Sequence, residues 1–168
     1  MIFVTVGTHE QAFNRLVEYI DHLKENGSIE EEVVIQTGYS TYEPKYCKWQ
    51  KLFPYQEMIR LVREARIVVT HGGPSSFIMP LQIGKIPIVV PRRLEYNEHV
   101  NNHQLSFSKA VAERMGTIIV VDKLEELEST ILNYDKVAGR IENEIKSNNA
   151  KFNDDLSRMV DEMFGVRK

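Results

Sequence analysis

The chain has 168 residues, of which 42% are hydrophobic and 27% charged, as in an ordinary soluble globular protein. This length predicts one domain over residues 1–168, and a net charge of −3 argues against a nucleic-acid partner. The single cysteine, Cys47, excludes a disulfide framework and a cysteine-based zinc site, and it fits a reducing cytosol. No signal peptide and no apolar run long enough to cross a bilayer is recognisable, so we expect a cytoplasmic protein.

Short β-branched runs alternate with amphipathic stretches along the chain. The first half predicts, in order, a strand over Ile2–Val6, a helix from Thr8 to about Asn26 with Thr8 and Gln11 at capping-box spacing, a strand over Glu32–Gln36, an irregular stretch over Tyr39–Phe53 with room for one short strand, and a helix over Tyr55–Ala65. The second half predicts a strand over Ile67–Thr70, a helix over Pro74–Ile83, a strand over Ile86–Val90, a polar loop over Arg92–Glu98, a helix of roughly His99–Met115, a strand over Thr117–Val121, and helices to the end, with a charged C-terminal helical segment at about 136–164. This alternation predicts an α/β fold, a Rossmann-like parallel sheet with helices on both faces.

Two glycine turns follow predicted strands, where parallel sheets bind their ligands. Gly7, Thr8 and His9 follow the first strand, and residues 71–76, His-Gly-Gly-Pro-Ser-Ser, follow the strand over Ile67–Thr70. Glycines let the backbone approach a ligand closely, and a helix N-terminus favours an anion. We therefore expect Gly7, Thr8, His71, Gly72, Gly73, Ser75 and Ser76 to hold a diphosphate, although an ordinary turn is the alternative at each place. His71 would donate to the phosphate and titrate near neutrality.

Further polar groups lie at other element ends. Thr37-Gly38 and Pro54-Tyr55 are candidates for nucleotide contacts, with plain loop chemistry as the alternative. In the segment Pro91–Gln104, Arg92 and Arg93 are suited to neutralising phosphate. The polar residues that open the following helix suit sugar hydroxyls, unless they form only a solvated helix start; they are Asn101, Asn102, His103 and Gln104. His99 and His103 have the spacing of two metal ligands, but no third ligand is in view, so we expect no metal.

Four segments in this order resemble the C-terminal domains of glycosyltransferase family 28, the donor-binding half of GT-B enzymes. They are FVTVGT (Phe3–Thr8), VVIQTG (Val33–Gly38), HGGPSSFIMPLQIGKIPIVVPR (His71–Arg92) and EHVNNHQ (Glu98–Gln104). Within the family, the chain is most similar to the small catalytic subunits of two-subunit enzymes. These are the bacterial capsule and exopolysaccharide glycosyltransferases and the eukaryotic enzyme that acts on GlcNAc-diphosphodolichol.

The resemblance implies a UDP-sugar donor, inverting transfer of a hexose to a lipid-diphosphate-linked saccharide, and no bound metal or other cofactor. The two glycine turns would hold the donor diphosphate, and uracil would lie near Pro54 and Tyr55. The donor sugar would be read by Glu98, Asn102, His103 and Gln104. Many relatives carry a glutamate for the ribose where this chain has Met79, so Glu95 or Glu98 would take that role, or nucleotide selectivity is looser. A thioether accepts no strong hydrogen bond.

A complete GT-B enzyme has a second domain, which binds the acceptor and carries the general base. The resemblance therefore implies a membrane-anchored acceptor-binding subunit as partner, with this chain peripheral at the cytoplasmic face of the membrane. His9 is the only in-chain candidate for the base, and a base on the partner is the preferred alternative. Two rival functions remain open: a non-catalytic nucleotide-binding or regulatory subunit, and a relative of the UDP-sugar epimerases.

Overall fold

The computed structural model describes residues 1–145 and 158–159. The strands are β1 (Ile2–Thr5), β2 (Val33–Gln36), β3 (Lys48–Gln50), β4 (Ile67–His71), β5 (Ile88–Val90) and β6 (Ile119–Val120). The helices are α1 (Asn14–Glu25), α2 (Tyr55–Glu64), α3 (Pro74–Gln82), α4 (His103–Met115), α5 (Glu126–Leu132) and α6 (Tyr134–Ile145), with a 3₁₀ turn at Leu94–Tyr96.

The six strands form one sheet in the order β3-β2-β1-β4-β5-β6, and every neighbouring pair is parallel. The chain moves outward in one direction from β1 to β3, and β4 then returns to the other side of β1. The strand order therefore reverses between β1 and β4, and in such sheets ligands bind in a crevice at the carboxyl ends of the two strands where it reverses. The predicted fold class is confirmed, and this crevice is where a ligand is expected.

Alternating side chains on β1 build the cores on the two faces of the sheet. Ile2 and Val4, together with Val6 just after the strand, pack into a cluster that includes buried residues of α1 and α5. Phe3 points to the other face, into a cluster with residues of α2. All four strand residues are buried, as expected for a parallel sheet covered on both sides.

Helix α1 begins at Asn14, so the prediction of a helix capped by Thr8 is wrong. In the loop of residues 7–13, backbone groups form hydrogen bonds to side chains instead of to one another. The Gln11 N–H donates to Nδ1 of His9, and the Phe13 N–H donates to Oγ of Ser40. The carbonyl of Gln11 accepts from the guanidinium of Arg92. Phe13 itself is fully buried and anchors the loop in the core.

Helix α4 begins at His103, four residues later than predicted. The chain before it follows the 3₁₀ turn, where Asn97 adopts a left-handed conformation with φ of 56°. Oδ1 of Asn101 then accepts the N–H of His103 at 3.0 Å, which forms an Asx turn directly before the helix. The predicted helical segment at 136–164 is helical as far as Ile145, and Arg158 and Met159 are helical too. Its other residues lie outside the described part of the chain.

Candidate functional site

The crevice between β1 and β4 is built around the imidazole of His71, which lies between two glycines. A Cβ on Gly7 would lie 2.8 Å from Cδ2 of His71 and closer still to Nε2. A Cβ on Gly73 would lie 2.9 Å from Nδ1 and closer to Cε1. Gly7 also has φ of +76°, where side chains are strained. These glycines therefore make room for a side chain of this chain, whereas the sequence pattern predicted room for a ligand.

Two further glycines allow close packing at the same place. A Cβ on Gly38 would lie 2.5 Å from the carbonyl oxygen of Gly7, and one on Gly72 would lie 2.8 Å from Cβ of Gln104. The loop after β2 therefore touches the loop after β1, and the turn after β4 touches the first turn of α4. Gly7, Gly38 and Gly73 are thereby brought together at the carboxyl ends of β1, β2 and β4, and Gly72 packs on the start of α4.

The hydrogen bonds of His71 set its tautomer. Nδ1 accepts the Gly73 N–H at 3.0 Å, and Nε2 lies 2.6 Å from Oγ of Ser76. Since Nδ1 uses its lone pair, the proton of the neutral ring is on Nε2 and is donated to the Ser76 hydroxyl oxygen. The Ser76 hydroxyl hydrogen is then free to be donated elsewhere. His71 thus orients a half-buried hydroxyl at the start of α3.

His71 does not titrate near neutrality, contrary to the sequence-based expectation. Burial, reinforced by the nearby charge of Arg92, lowers the pKa of His71 from 6.5 to about 4. The ring is only 7% exposed, so a protonated imidazole would be poorly solvated. At pH 7 His71 is neutral, and its contribution is hydrogen bonding rather than charge.

The N-terminus of α3 is suited to binding an anion at the carboxyl end of β4. Pro74 occupies the first turn, Ser75 is exposed, and Ser76 is half-buried beside His71. A helix N-terminus carries partial positive charge and N–H groups without helical partners. Thr8, in the loop after β1, is also exposed. Hydroxyls of α3 and of the loop after β1 therefore lie near the carboxyl ends of adjacent strands.

Arg92 is not available to a phosphate, which corrects the prediction that it binds one. The residue is fully buried. One terminal nitrogen, Nη2, donates to the carbonyl of Val6 at 2.7 Å, and the other, Nη1, donates to the carbonyls of Gln11 and Glu98 at 2.7 and 3.0 Å. Burial lowers the pKa of Arg92 to about 10, which leaves it charged at pH 7. Arg92 joins the loop after β1 to the loop after β5.

The carboxylate of Glu98 is also buried and bonded within the protein. It is 3% exposed and forms a two-point ion pair with Arg15 of α1, with contacts of 2.8 and 3.0 Å. Its Oε2 also accepts the N–H of Arg93. The predicted role of Glu98 in sugar or ribose binding is therefore not supported by its position. Arg93 and Glu95 pair with each other, and Arg93 pairs with Asp122 as well.

The predicted sugar-binding residues at the start of α4 differ in burial and in hydrogen bonding. Gln104 is buried, and its Oε1 accepts the N–H groups of Gly72 and Arg92 at 3.1 and 3.2 Å, so it holds the turn after β4. Oδ1 of Asn102 accepts the Leu94 N–H. Asn102 and His103 are both exposed. His103 and the side-chain amide nitrogen of Asn102 remain suited to a ligand. The side-chain oxygen of Gln104, Oε1, already accepts two backbone N–H groups.

The end of β2 places Thr37 in the interior and Tyr55 at the surface. Thr37 is 1% exposed, and its hydroxyl has no hydrogen-bond partner among the residues described. Gln36 was not singled out from the sequence; its side chain links Thr5 to the N–H of Phe53. Pro54 precedes α2, and Tyr55 is 68% exposed. A flat, exposed aromatic ring suits a planar base.

His9 lies against His99, with ring centroids 4.8 Å apart. Burial lowers the pKa of His9, and so do the neighbouring His99 and Arg92. Nδ1 of His9 accepts the Gln11 N–H at 3.1 Å, so the lone pair of the neutral ring is already used. This geometry does not favour His9 as general base. The His99 partner was missed because the two residues are far apart in sequence, although both follow strand ends.

Met79 is partly buried in α3 and packs on the cluster that contains Phe3, Leu61 and Val68. It acts as a packing residue between α3 and the sheet. Within residues 1–145 and 158–159, no group of three metal-ligating side chains is found. The same part of the chain contains no helix with the length and apolarity of a membrane span.

Comparisons with known proteins agree with this architecture. The family model described as glycosyltransferase family 28 C-terminal domain matches residues 1–160. The crystal structure of the glycosyltransferase SnogD from Streptomyces nogalater is similar with a TM-score of 0.56 and 16% identity, over 86% of this chain and 39% of that chain. This chain therefore spans well under half of that protein, and the likeness is one of fold. Among curated proteins no match is found. The chain belongs to the glycosyltransferase family 28 C-terminal domain family.

Proposed function

We propose that the chain is the donor-binding catalytic subunit of an inverting UDP-sugar glycosyltransferase. The observation that carries the proposal is the pair of hydroxyls, Ser75 and Ser76, at the N-terminus of α3 beside the β1–β4 crevice, in a chain of this family. That arrangement suits the diphosphate of a nucleotide-sugar. Uracil would lie toward Tyr55, and the sugar toward Asn102 and His103.

In the proposed reaction an acceptor hydroxyl oxygen forms a bond to the anomeric carbon of the donor. The bond from that carbon to the diphosphate oxygen breaks on the opposite face, and its electron pair leaves with UDP. The acceptor's proton passes to a base, which we assign to a partner subunit because the lone pair of His9 is engaged. This chain would stabilise the charge on the leaving diphosphate through the α3 N-terminus and the Ser76 hydroxyl.

The acceptor side of the proposal rests on the sequence resemblance. We propose a lipid-diphosphate-linked saccharide acceptor and a hexose donor sugar, as in capsule and exopolysaccharide synthesis. A membrane-anchored partner would bring the chain to the cytoplasmic face of the membrane. No metal is assigned a role.

Thermal unfolding with nucleotides tests the donor half of the proposal. Ligand at about one hundred times its dissociation constant adds roughly 2.7 kcal/mol of stability. We expect UDP to raise the Tm by about 5 °C, and CMP, GDP and ADP to raise it less. Equal shifts with all four nucleotides would contradict a uridine site. A non-catalytic nucleotide-binding subunit, the alternative, would bind UDP and show no transfer with any acceptor-binding partner.

A further inference from the structure

The paired imidazoles of His9 and His99 have no assigned role in the site described so far. His9 lies in the loop after β1, and His99 lies between β5 and α4. Their ring centroids are 4.8 Å apart and their planes are inclined by 48°. Both side chains are partly exposed, so a ligand in the crevice can reach them.

In both rings, Nδ1 accepts the backbone N–H of the residue two positions later. Nδ1 of His9 accepts the Gln11 N–H at 3.1 Å, and Nδ1 of His99 accepts the Asn101 N–H at 3.4 Å. A neutral imidazole that accepts at Nδ1 carries its proton at Nε2. Each neutral ring therefore has an Nε2–H to donate, and the two ring centroids are 4.8 Å apart. Neither Nε2 has an acceptor among residues 1–145 and 158–159.

Cationic side chains close to this pair are already engaged. Arg92 donates to backbone carbonyls, Arg15 pairs with Glu98, and Arg93 pairs with Asp122. His71 is buried and neutral at pH 7. Glu10, beside His9, is exposed and is the nearby anionic residue whose charge acts on His9. Unlike these groups, the two imidazoles have Nε2–H donors that form no hydrogen bond within the described residues, so a ligand can accept from them without breaking an existing bond.

We infer that His9 and His99 form a hydrogen-bonding subsite for the diphosphate of the donor, opposite the N-terminus of α3. The inference rests on the proposed function and adds two direct ligands to it. Two fixed N–H donors match the several acceptor oxygens of a diphosphate. The α3 N-terminus and Ser76 would contact the diphosphate from the β4 side, and the imidazole pair from the β1 and β5 sides.

A comparison of UDP with uridine distinguishes binding of the diphosphate by His9 and His99 from a purely structural role of the two residues. Uridine and UDP share the base and ribose but differ in the diphosphate. Dissociation constants for both are measured by NMR titration, which extends into the millimolar range, with the wild-type chain and with a His9→Phe/His99→Phe variant. Phenylalanine keeps the ring contact and removes both donors. The matched control is His22→Phe, since His22 is an exposed residue of α1 paired with Glu25.

We expect the wild-type chain to bind UDP more tightly than uridine, and the double phenylalanine variant to lose about tenfold or more of that preference. Uridine affinity should stay within about twofold, as for hydrogen bonds confined to the phosphates. A His9→Gln/His99→Gln variant, which keeps an N–H donor at each position, should retain most of the preference. Its melting temperature and that of the phenylalanine variant confirm that both are folded.

Three results would overturn the assignment. In the first, the phenylalanine variant keeps the full preference for UDP over uridine. In the second, its affinities for uridine and for UDP fall by the same factor. In the third, the glutamine variant loses as much of the preference for UDP as the phenylalanine variant does. A wild-type chain that does not prefer UDP over uridine would instead contradict the proposed function itself. The two failures are therefore distinguishable in one experiment.

Discussion

Gly7 lies directly against the imidazole of His71, so that no side chain fits at residue 7. The contact joins the carboxyl ends of β1 and β4, the two strands that flank the crevice. It fixes His71 where its Nε2–H meets the Ser76 hydroxyl. The geometry of the candidate site thus depends on backbone packing as much as on its polar side chains.

Gly7→Ala should destabilise the protein by about 3 kcal/mol, through left-handed strain and through the overlap with His71. Gly27→Ala is the matched control, since Gly27 has φ of +81° and a Cβ added there would meet nothing within 4 Å. It should cost about 1 kcal/mol, the strain alone. Urea unfolding measures both. Equal losses for the two variants would mean that the contact with His71 contributes nothing.

Arg92→Lys should cost about 3 kcal/mol, although it keeps the charge, because one ammonium cannot reach the carbonyls that two guanidinium nitrogens serve. Arg60 offers the exposed comparison, with ion pairs to Glu57 and Glu64 on α2. Arg60→Lys should change the free energy of unfolding by less than about 1 kcal/mol. If the two variants are equally stable, Arg92 does not join the loops as described.

Acid should weaken the fold through His71 before most carboxylates are protonated. The pKa of histidine is ordinarily 6.5, and that of His71 is about 4 in the folded chain, so the unfolded state binds more protons between these values. Stability therefore falls as the pH drops through this window, by about 2 kcal/mol between pH 7 and pH 5. Urea unfolding of the wild type and of His71→Gln at both pH values isolates this contribution. An unchanged pH dependence in the variant would contradict a buried neutral His71.

Asp21 of α1 holds the segment that precedes β3. Its carboxylate accepts the N–H groups of Lys45, Tyr46 and Cys47 and the hydroxyl of Tyr42, at 2.8–3.0 Å. Burial alone would raise the pKa of Asp21, but these hydrogen bonds lower it overall. Asp21→Asn replaces an acceptor by a donor facing N–H groups and should cost about 3 kcal/mol.

The reactivity of the buried Cys47 thiol measures how often the segment before β3 opens. Burial raises its pKa to about 12, so it should react slowly with a thiol reagent in the folded chain. Asp21→Asn should speed the labelling of Cys47 by about tenfold or more, while Tyr42→Phe, which removes one hydrogen bond, should change it much less. Equal labelling rates in the wild type and Asp21→Asn would show that Asp21 does not hold the segment closed.

Much of the fold followed from local pattern. Buried strands such as β1 and β4 are β-branched runs, and α3 begins at a proline and is followed by a glycine, so their positions were predicted within one or two residues. The late starts of α1 and α4 were not predicted. These helix starts depend on hydrogen bonds to residues distant in sequence, such as the bond from the Phe13 N–H to Oγ of Ser40. The hydrophobic periodicity of a segment does not contain that information.

The candidate site shows the same division. The glycine turns and the serines of α3 were placed correctly at the crevice, because strand ends in a parallel sheet converge there. Arg92 and Arg93 are adjacent and chemically alike, yet one is buried and the other partly exposed. Glu98 was matched to a sugar although its partner is Arg15. Residue type alone does not tell which polar group is satisfied by the protein.

Calorimetric titration of UDP into the wild type and Ser76→Ala tests the central claim most directly. Ser129→Ala is the control, because Ser129 is an exposed hydroxyl on α5 that donates within its own helix. The account predicts that the wild type and Ser129→Ala bind UDP equally, and that Ser76→Ala binds about tenfold more weakly. A wild type that does not bind UDP, or a Ser76→Ala variant with undiminished affinity, would contradict a donor diphosphate at the start of α3.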